Sequence, residues 1–238
     1  VSVLNTLDGN TSGTIDAGTV STLCVAAADL NTAYASGGIT GLANEAVTLS
    51  DTTLAVSVLN TLDSNTSGTI DAGTVTTLTG SASDLITAFA SSGISNLGNT
   101  AVSVSSGNAS TSQANTLAAA TSGVVTATLS DGDLSTLAGL TETGNAYSIT
   151  ITDTSVDAAA LNTLDGKTTV AINASNITPL TGAAADLNTA YAANGSSITG
   201  LGNEAATLSD TTLAVSVLNT LDGNTTQHTQ PTTVSAHT

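Results

Sequence analysis

Basic residues are almost absent from this 238-residue chain: Lys167 stands alone, there is no Arg, and 18 Asp and Glu give a formal net charge of -17. Nucleic-acid binding needs a cationic footprint against phosphate, and adsorption to anionic lipid needs a basic patch. The composition excludes both. Aromatic residues are 2% of the chain, with neither Trp nor Met, so a core built on bulky side chains has no material. A single cysteine, Cys24, precludes an intramolecular disulfide. Thr79 and Thr181 hold its equivalent repeat positions, so Cys24 is expected to be a small buried filler. No apolar run is long enough to span a bilayer.

Catalytic supply is equally thin. Both histidines, His228 and His237, fall in residues 226–238, a polar segment expected to form a flexible tail. Without Arg or a core His, there is no base and nucleophile pair and no oxyanion clamp, so no enzyme is expected. Asp131 and Asp133 are the one close acidic pair in irregular context, and DGD reads as a turn rather than as a glycosidase pair. Ranks of Thr that bind ice are also not expected, because Thr126–Thr128 and Thr150–Thr152 do not recur coil by coil.

What the chain does have is repetition. Residues 1–20 (VSVLNTLDGNTSGTIDAGTV) return at 56–75 with one change, Gly9 to Ser64, and the unit comes back in degraded form from Ala114, Leu161 and Leu218. A second motif alternates with it, DLNTAYA from Asp29 and Asp186, DLITAFA from Asp84 and DLSTLAG from Asp133. The first apolar residues of the two motifs, Leu4, Leu30, Leu59, Leu85, Ala114, Leu134, Leu161, Leu187 and Leu218, lie 26, 29, 26, 29, 20, 27, 26 and 31 residues apart. A period of about 27 is the size of a strand-plus-helix coil. The fold class expected is therefore a repeat solenoid of stacked strand-plus-short-helix coils (an α/β solenoid), with an all-β helix as the competing architecture. One array of about nine coils would fill residues 1–225, degenerate around 105–152.

The grammar inside each coil agrees. Alternating Val47 and Leu49 predict a strand. Ser50, Asp51 and Thr52 then offer helix-capping oxygens, with Leu54, Val58 and Leu62 following at helical spacing. Ile15 and Ile70 predict short strands after a Gly, and Leu30, Ala33 and Tyr34 a helix that Gly37, Gly38 and Gly41 end. Tyr34, Phe89 and Tyr191 share one slot and are read as core filler. Asp29, Asp84 and Asp186 before helices, and Asp51 and Asp210 after strands, are read as N-caps. Val1–Thr11 is identical to Val215–Thr225, so the chain is expected to be a piece of a longer array or a subunit that stacks head-to-tail into fibres.

One pattern points to a cofactor. Asp8, Asn10, Ser12 and Asp16, repeated as Asp63, Asn65, Ser67 and Asp71, follow the front of an EF-hand loop, with oxygens at positions 1, 3 and 5 and Gly13 or Gly68 at position 6. These eight residues are the candidate calcium ligands. Position 12, a bidentate Glu in such loops, is Thr19 or Thr74 here, and the competing reading is a polar turn from helix to strand. The sequons at Asn10 and Asn65 offer sites for glycan attachment.

The unit GLGNEAATLSDTTLAVSVLNTLDGNTT, with TLTGAAADLNTAYA, resembles acidic Thr/Ala-rich repeats of giant cell-surface proteins of marine unicellular cyanobacteria. The resemblance covers residues 1–104 and 153–225. It implies a secreted, cell-surface or filament role, structural or adhesive, and carries no catalytic residue.

Overall fold

The computed structural model describes residues 1–225 and the backbone of 235–237. Strand and helix alternate throughout and the strand pairs given are parallel, so the chain is an α/β protein. The all-β alternative is set aside by the helices: α1 (Ser2–Asn10), α2 (Ala27–Ala35), α3 (Val56–Asn65), α4 (Ala82–Ala90), α5 (Thr111–Ala120), α6 (Leu134–Leu137), α7 (Ala158–Asp165), α8 (Ala184–Ala193) and α9 (Val215–Asn224). No helix among the described residues is long and apolar enough to cross a membrane.

By internal contacts the chain divides into two compact units, residues 1–108 with 116–125, and residues 109–115 with 126–238. In the first, Thr22–Val25, Ala46–Leu49, Ile70–Asp71 and Ile94–Ser95 form one sheet in that order. Thr53–Ala55, Thr77–Ser81 and Ala101–Ser106 lie side by side in another. The register advances by a nearly fixed step: Thr22 faces Ala46, Thr53 faces Thr77 and Ile70 faces Ile94. Each of these steps is 24 residues, shorter than the 27 suggested by the helix anchors. In the second unit Val156–Asp157, Pro179–Gly182 and Ala205–Leu208 form a sheet, with Ile172–Asn173 beside Ile198–Thr199 and Thr126–Thr128 beside Ala146–Ser148. Ser235–His237 pairs with Thr212–Ala214, while residues 226–234 and 238, His228 among them, lie outside the described residues.

Helices of this length are marginal alone, and burial of a narrow apolar stripe holds them. The stripe is Ala27, Leu30 and Ala33 in α2, Val56, Leu59 and Leu62 in α3, and Ala158, Leu161 and Leu164 in α7. Each Leu contributes on the order of 1.5–3 kcal/mol when fully buried. The small residues between them let helix and strand approach closely. Gly80, in the strand Thr77–Ser81, shows this most directly, since a Cβ there would run into the Val56 side chain.

Three local expectations are corrected. The helix after Ala46–Leu49 starts at Val56, not behind Asp51, because Thr53–Ala55 first pairs as a strand with Thr77–Thr79. Leu54 is thus a buried strand residue. Cys24 is exposed rather than buried, because strand alternation turns Leu23 inward and its neighbour outward. Asp29, Asp84 and Asp186 lie within the first helical turn and do not precede it.

Candidate functional site

The eight candidate calcium ligands fall at the ends of α1 and α3, in the turns after them and, for Asp16 and Asp71, in the short strands Ile15–Asp16 and Ile70–Asp71. Asp8 Oδ2 accepts a hydrogen bond from Ser36 Oγ at 2.6 Å, and Asp63 Oδ2 accepts from Ser91 Oγ at 2.7 Å. Asp165, the equivalent residue of α7, accepts from Ser197 Oγ at 2.8 Å. The serines pass the link on, for Ser36 and Ser91 accept from the backbone N–H of Gly38 and Gly93. A carboxylate in the last turn of a helix opposes the helix dipole, and here it is held by the turn that follows the next helix.

The second Asp of each loop turns elsewhere. Asp16 accepts from the Gly18 N–H at 2.9 Å, closing its own turn. Asp71 accepts from the Gly73 N–H at 3.0 Å and from Asn96 Nδ2 at 2.8 Å. The Asn96 amide, then the Gly73 N–H, hold its carboxyl below the ordinary range. Asn65 Nδ2 donates to Asn31 Oδ1 at 3.1 Å and Ser67 Oγ to the Ala43 carbonyl at 3.1 Å, while Asn10 and Ser12 are exposed. The two carboxylates of each loop therefore engage different partners. Among the described residues no group of three or more His, Cys, Asp or Glu is arranged to hold a metal ion.

Four Asp residues, Asp51, Asp131, Asp153 and Asp210, cap helices that precede them in the chain. Asp51 Oδ2 accepts from the Ala27 N–H at 2.8 Å and Asp210 Oδ2 from the Ala184 N–H at 2.7 Å. Asp131 and Asp153 do the same for Thr111 and Leu134, each at 2.6 Å. The first N–H of each helix has no intrahelical partner, and a carboxylate from 19–26 residues further along the chain satisfies it. Asp133 caps its own helix through the Thr136 N–H at 2.9 Å. The Ser135 hydroxyl, then Thr136, keep its carboxyl below the ordinary range. The two acids of the DGD turn thus serve different helices.

Two further carboxylates escape sequence reasoning. Glu45 and Glu204 are buried, at 0% and 3% exposure, in a chain whose one Lys donates to the Thr141 carbonyl. Glu45 Oε2 accepts from the Tyr34 hydroxyl at 2.8 Å, and both its oxygens accept from the Ala43 N–H at 3.0 and 3.1 Å. Glu204 accepts from the N–H groups of Gly202 and Asn203. Burial pushes the Tyr34 hydroxyl up to about 12, with Thr66 lowering it and Glu45 raising it in part. Burial, then Glu204, raises Tyr191 as well. The equivalent third pair is Phe89 and Thr100, and Thr100 Oγ1 donates to the Val75 carbonyl instead. The sequence signal was this covariation inside the chain: Glu appears where the slot holds Tyr, and Thr where it holds Phe.

One open groove of about 710 Å³ gathers several of these side chains, Asp8, Asn31, Thr32, Ser36, Thr61 and Asn65, along α1, α2 and α3. Much of its hydrogen-bonding capacity is already used. Asn31 Nδ2 donates to the Val58 carbonyl at 2.9 Å, and Thr32 and Thr61 donate back to Ala28 and Ser57 within their helices. The groove holds amides, hydroxyls and a carboxylate. The chain matches no protein-family model, and comparison with curated proteins and with solved structures finds no significant match.

Proposed function

We propose that the chain is a non-catalytic structural repeat module, an α/β solenoid whose coils stack through side chains, belonging to a secreted cell-surface or filament protein in a structural or adhesive role. The observation that carries this reading is where the polar side chains go. Asn5, Asn60 and Asn162 each donate to the carbonyl of an Asp 24 residues on. Thr76 and Thr178 each donate to a carbonyl 24 residues back, and Asp51 caps a helix 24 residues back. Groups that an enzyme would turn toward a substrate are turned toward the adjacent coil. The acidic surface supports the extracellular assignment, since salt screens its self-repulsion, and the resemblance to cyanobacterial surface repeats points the same way. The partners that fit are further coils of the same repeat, in this chain or another.

Stability in a solenoid is a sum over coils and nearest-neighbour interfaces. Chains lengthened by duplicating residues 56–110 should unfold at higher denaturant midpoints with a larger m-value, step by step. A midpoint that falls on duplication, or a chain that no longer folds, would overturn the solenoid. Sedimentation across concentration tests self-association, and a monomer at all concentrations would remove the fibre version.

A further inference from the structure

An asparagine links each of several helices to the next. Asn5 Nδ2 donates to the Asp29 carbonyl at 3.0 Å, Asn31 to Val58 at 2.9 Å, Asn60 to Asp84 at 3.0 Å and Asn162 to Asp186 at 3.0 Å. The acceptor is always the residue just ahead of the next helix's anchor leucine. Between α2 and α3 the seam is closed further, since Asn31 Oδ1 accepts from Asn65 Nδ2 at 3.1 Å. It is interrupted between α4 and α5, where Ile86 stands for Asn31 and Ala120 for Asn65, and the lining is Ile86, Phe89, Leu117 and Ala120.

The helices α1, α3 and α9 share one sequence, apart from Ser64 in α3 for Gly9 and Gly223. In α3, bonded to α2 on one side and α4 on the other, Val56, Leu59 and Leu62 are at most 1% exposed. The face that α2 covers in α3 lies open in α1 along Val3, Thr6, Leu7 and Asn10, with Val3 78% and Leu7 49% exposed. In α9 the other face is open. Val215, whose counterpart Val56 packs against Gly80 of the following strand, is 46% exposed, and Leu218 is half-buried. The two helices thus expose complementary halves of one contact surface. Ser235–His237 lies beside Thr212–Ala214 as Thr77–Thr79 lies beside Thr53–Ala55 ahead of α4. Strand support for a helix against α9 is therefore in place.

We propose that α9 of one copy receives α1 of a second copy, in a head-to-tail contact where Asn219 donates to the Val3 carbonyl and accepts from Asn10. The contact rests on the stacked-coil reading above and names its intermolecular surface. Asn219 follows Leu218 as Asn31 follows Leu30, while Val3 and Asn10 are the counterparts of Val58 and Asn65. The α2–α3 amide seam is therefore rebuilt from the residues already present. Val3 and Leu7 are covered on one partner and Val215 on the other. One charge pair opposes this. Four residues beyond successive anchor leucines stand Asp8, Tyr34, Asp63 and Phe89, acid alternating with aromatic, whereas the new contact sets Asp222 beside Asp8. Their repulsion reaches over about 30 Å at 0.01 M salt and about 3 Å at 1 M, so salt decides whether burial wins.

Sedimentation of the full chain under reducing conditions, up to about 1 mM protein, tests the contact. At about 1 M salt the mass should rise with concentration, and at about 0.01 M the association constant should be about tenfold lower or less. Val3→Glu and Val215→Glu each put a carboxylate in a first helical turn, where the helix dipole favours it. Both should keep the wild-type melt, and each alone should stay monomeric. Their equimolar mixture should form a dimer and stop there, because each partner retains one intact face. If either fails to fold, Val3→Gln or Val215→Gln takes its place with the same expectation. Association that survives in Val3→Glu alone, or a mixture that stays monomeric, would overturn the contact. A monomeric wild type whose form with residues 56–110 duplicated still gains stability would overturn this contact and leave the stacked coils standing. Loss of both results would remove the reading on which it rests.

Discussion

The α2–α3 and α4–α5 seams of the first unit are built on one backbone plan from related sequences, yet one is closed by hydrogen bonds and the other is lined with carbon. In the first, Tyr34 and Glu45 are joined below an amide pair, Asn31 and Asn65. In the second, Phe89 has no hydroxyl to offer and Thr100 donates to the Val75 carbonyl instead. The changes are concerted because a buried polar atom is tolerated only with its partner. Glu45 without Tyr34 would face the interior with one bond fewer, and a tyrosine in place of Phe89 would find no carboxylate. A repeat of this kind therefore varies by exchanging whole hydrogen-bonded sets while the strand register is kept.

The sharpest way to break the comparison is at Glu45. Glu45→Ala should cost about 2–3 kcal/mol in denaturant unfolding, since it strands both the Tyr34 hydroxyl and the Ala43 N–H. Tyr34→Phe combined with Glu45→Thr, which copies the α4 set, should cost less than the two single changes added together. Strict additivity would show that the pair is not coupled.

Alkaline titration sharpens the same contrast with a smaller effect. A hydroxyl whose folded value is raised is favoured in its neutral form, so its contribution is fully present below the ordinary value near 10 and is lost as pH rises through the folded value. Tyr34 and Tyr147 are both raised to about 12, chiefly by burial. The melting temperature should fall between about pH 10 and 12, and Tyr34→Phe should make that fall shallower. A slope unchanged by the substitution would count against a raised Tyr34.

The smallest effect is expected from calcium. Asp8 and Asp63 already accept hydrogen bonds from Ser36 and Ser91, and Asp16 and Asp71 close their own turns. Circular-dichroism melts with calcium and with excess chelator should superimpose. A calcium-dependent rise, lost in Asp8→Asn with Asp63→Asn, would instead make these loops ligands and the module calcium-dependent.

Much of this architecture was legible in the sequence wherever the cause is local. Helical spacing marked Leu30 and Ala33, alternation marked Val47 and Leu49, and Gly before Ile70 marked a short strand; all five apolar residues are buried. What was not legible is governed by residues about two dozen positions away along the chain. Asp51 looks like the cap of the helix ahead, and only the structure shows that its partner is Ala27. Val56 starts α3 late because Thr53–Ala55 is claimed by Thr77–Thr79. Cys24 resembled filler because Thr stands in its equivalents, and composition does not say which face of the strand an odd position takes. Glu45 gave no local sign at all, and emerged only when its position was compared with Thr100 and Glu204 alongside the aromatic slot.

The Asp caps have a consequence for synthesis. The first turn of α2 is completed by a carboxylate 24 residues further along the chain, and that of α8 by one 26 residues on. On a ribosome moving at roughly 5–20 residues per second, each such helix waits on the order of 1–5 s for its last hydrogen bond. Each such helix of the nascent chain would thus be closed only once its capping Asp has emerged. A pause after Asp51 or Asp210 has left the ribosome would leave the helix behind it closed, and a pause before that point would leave it frayed.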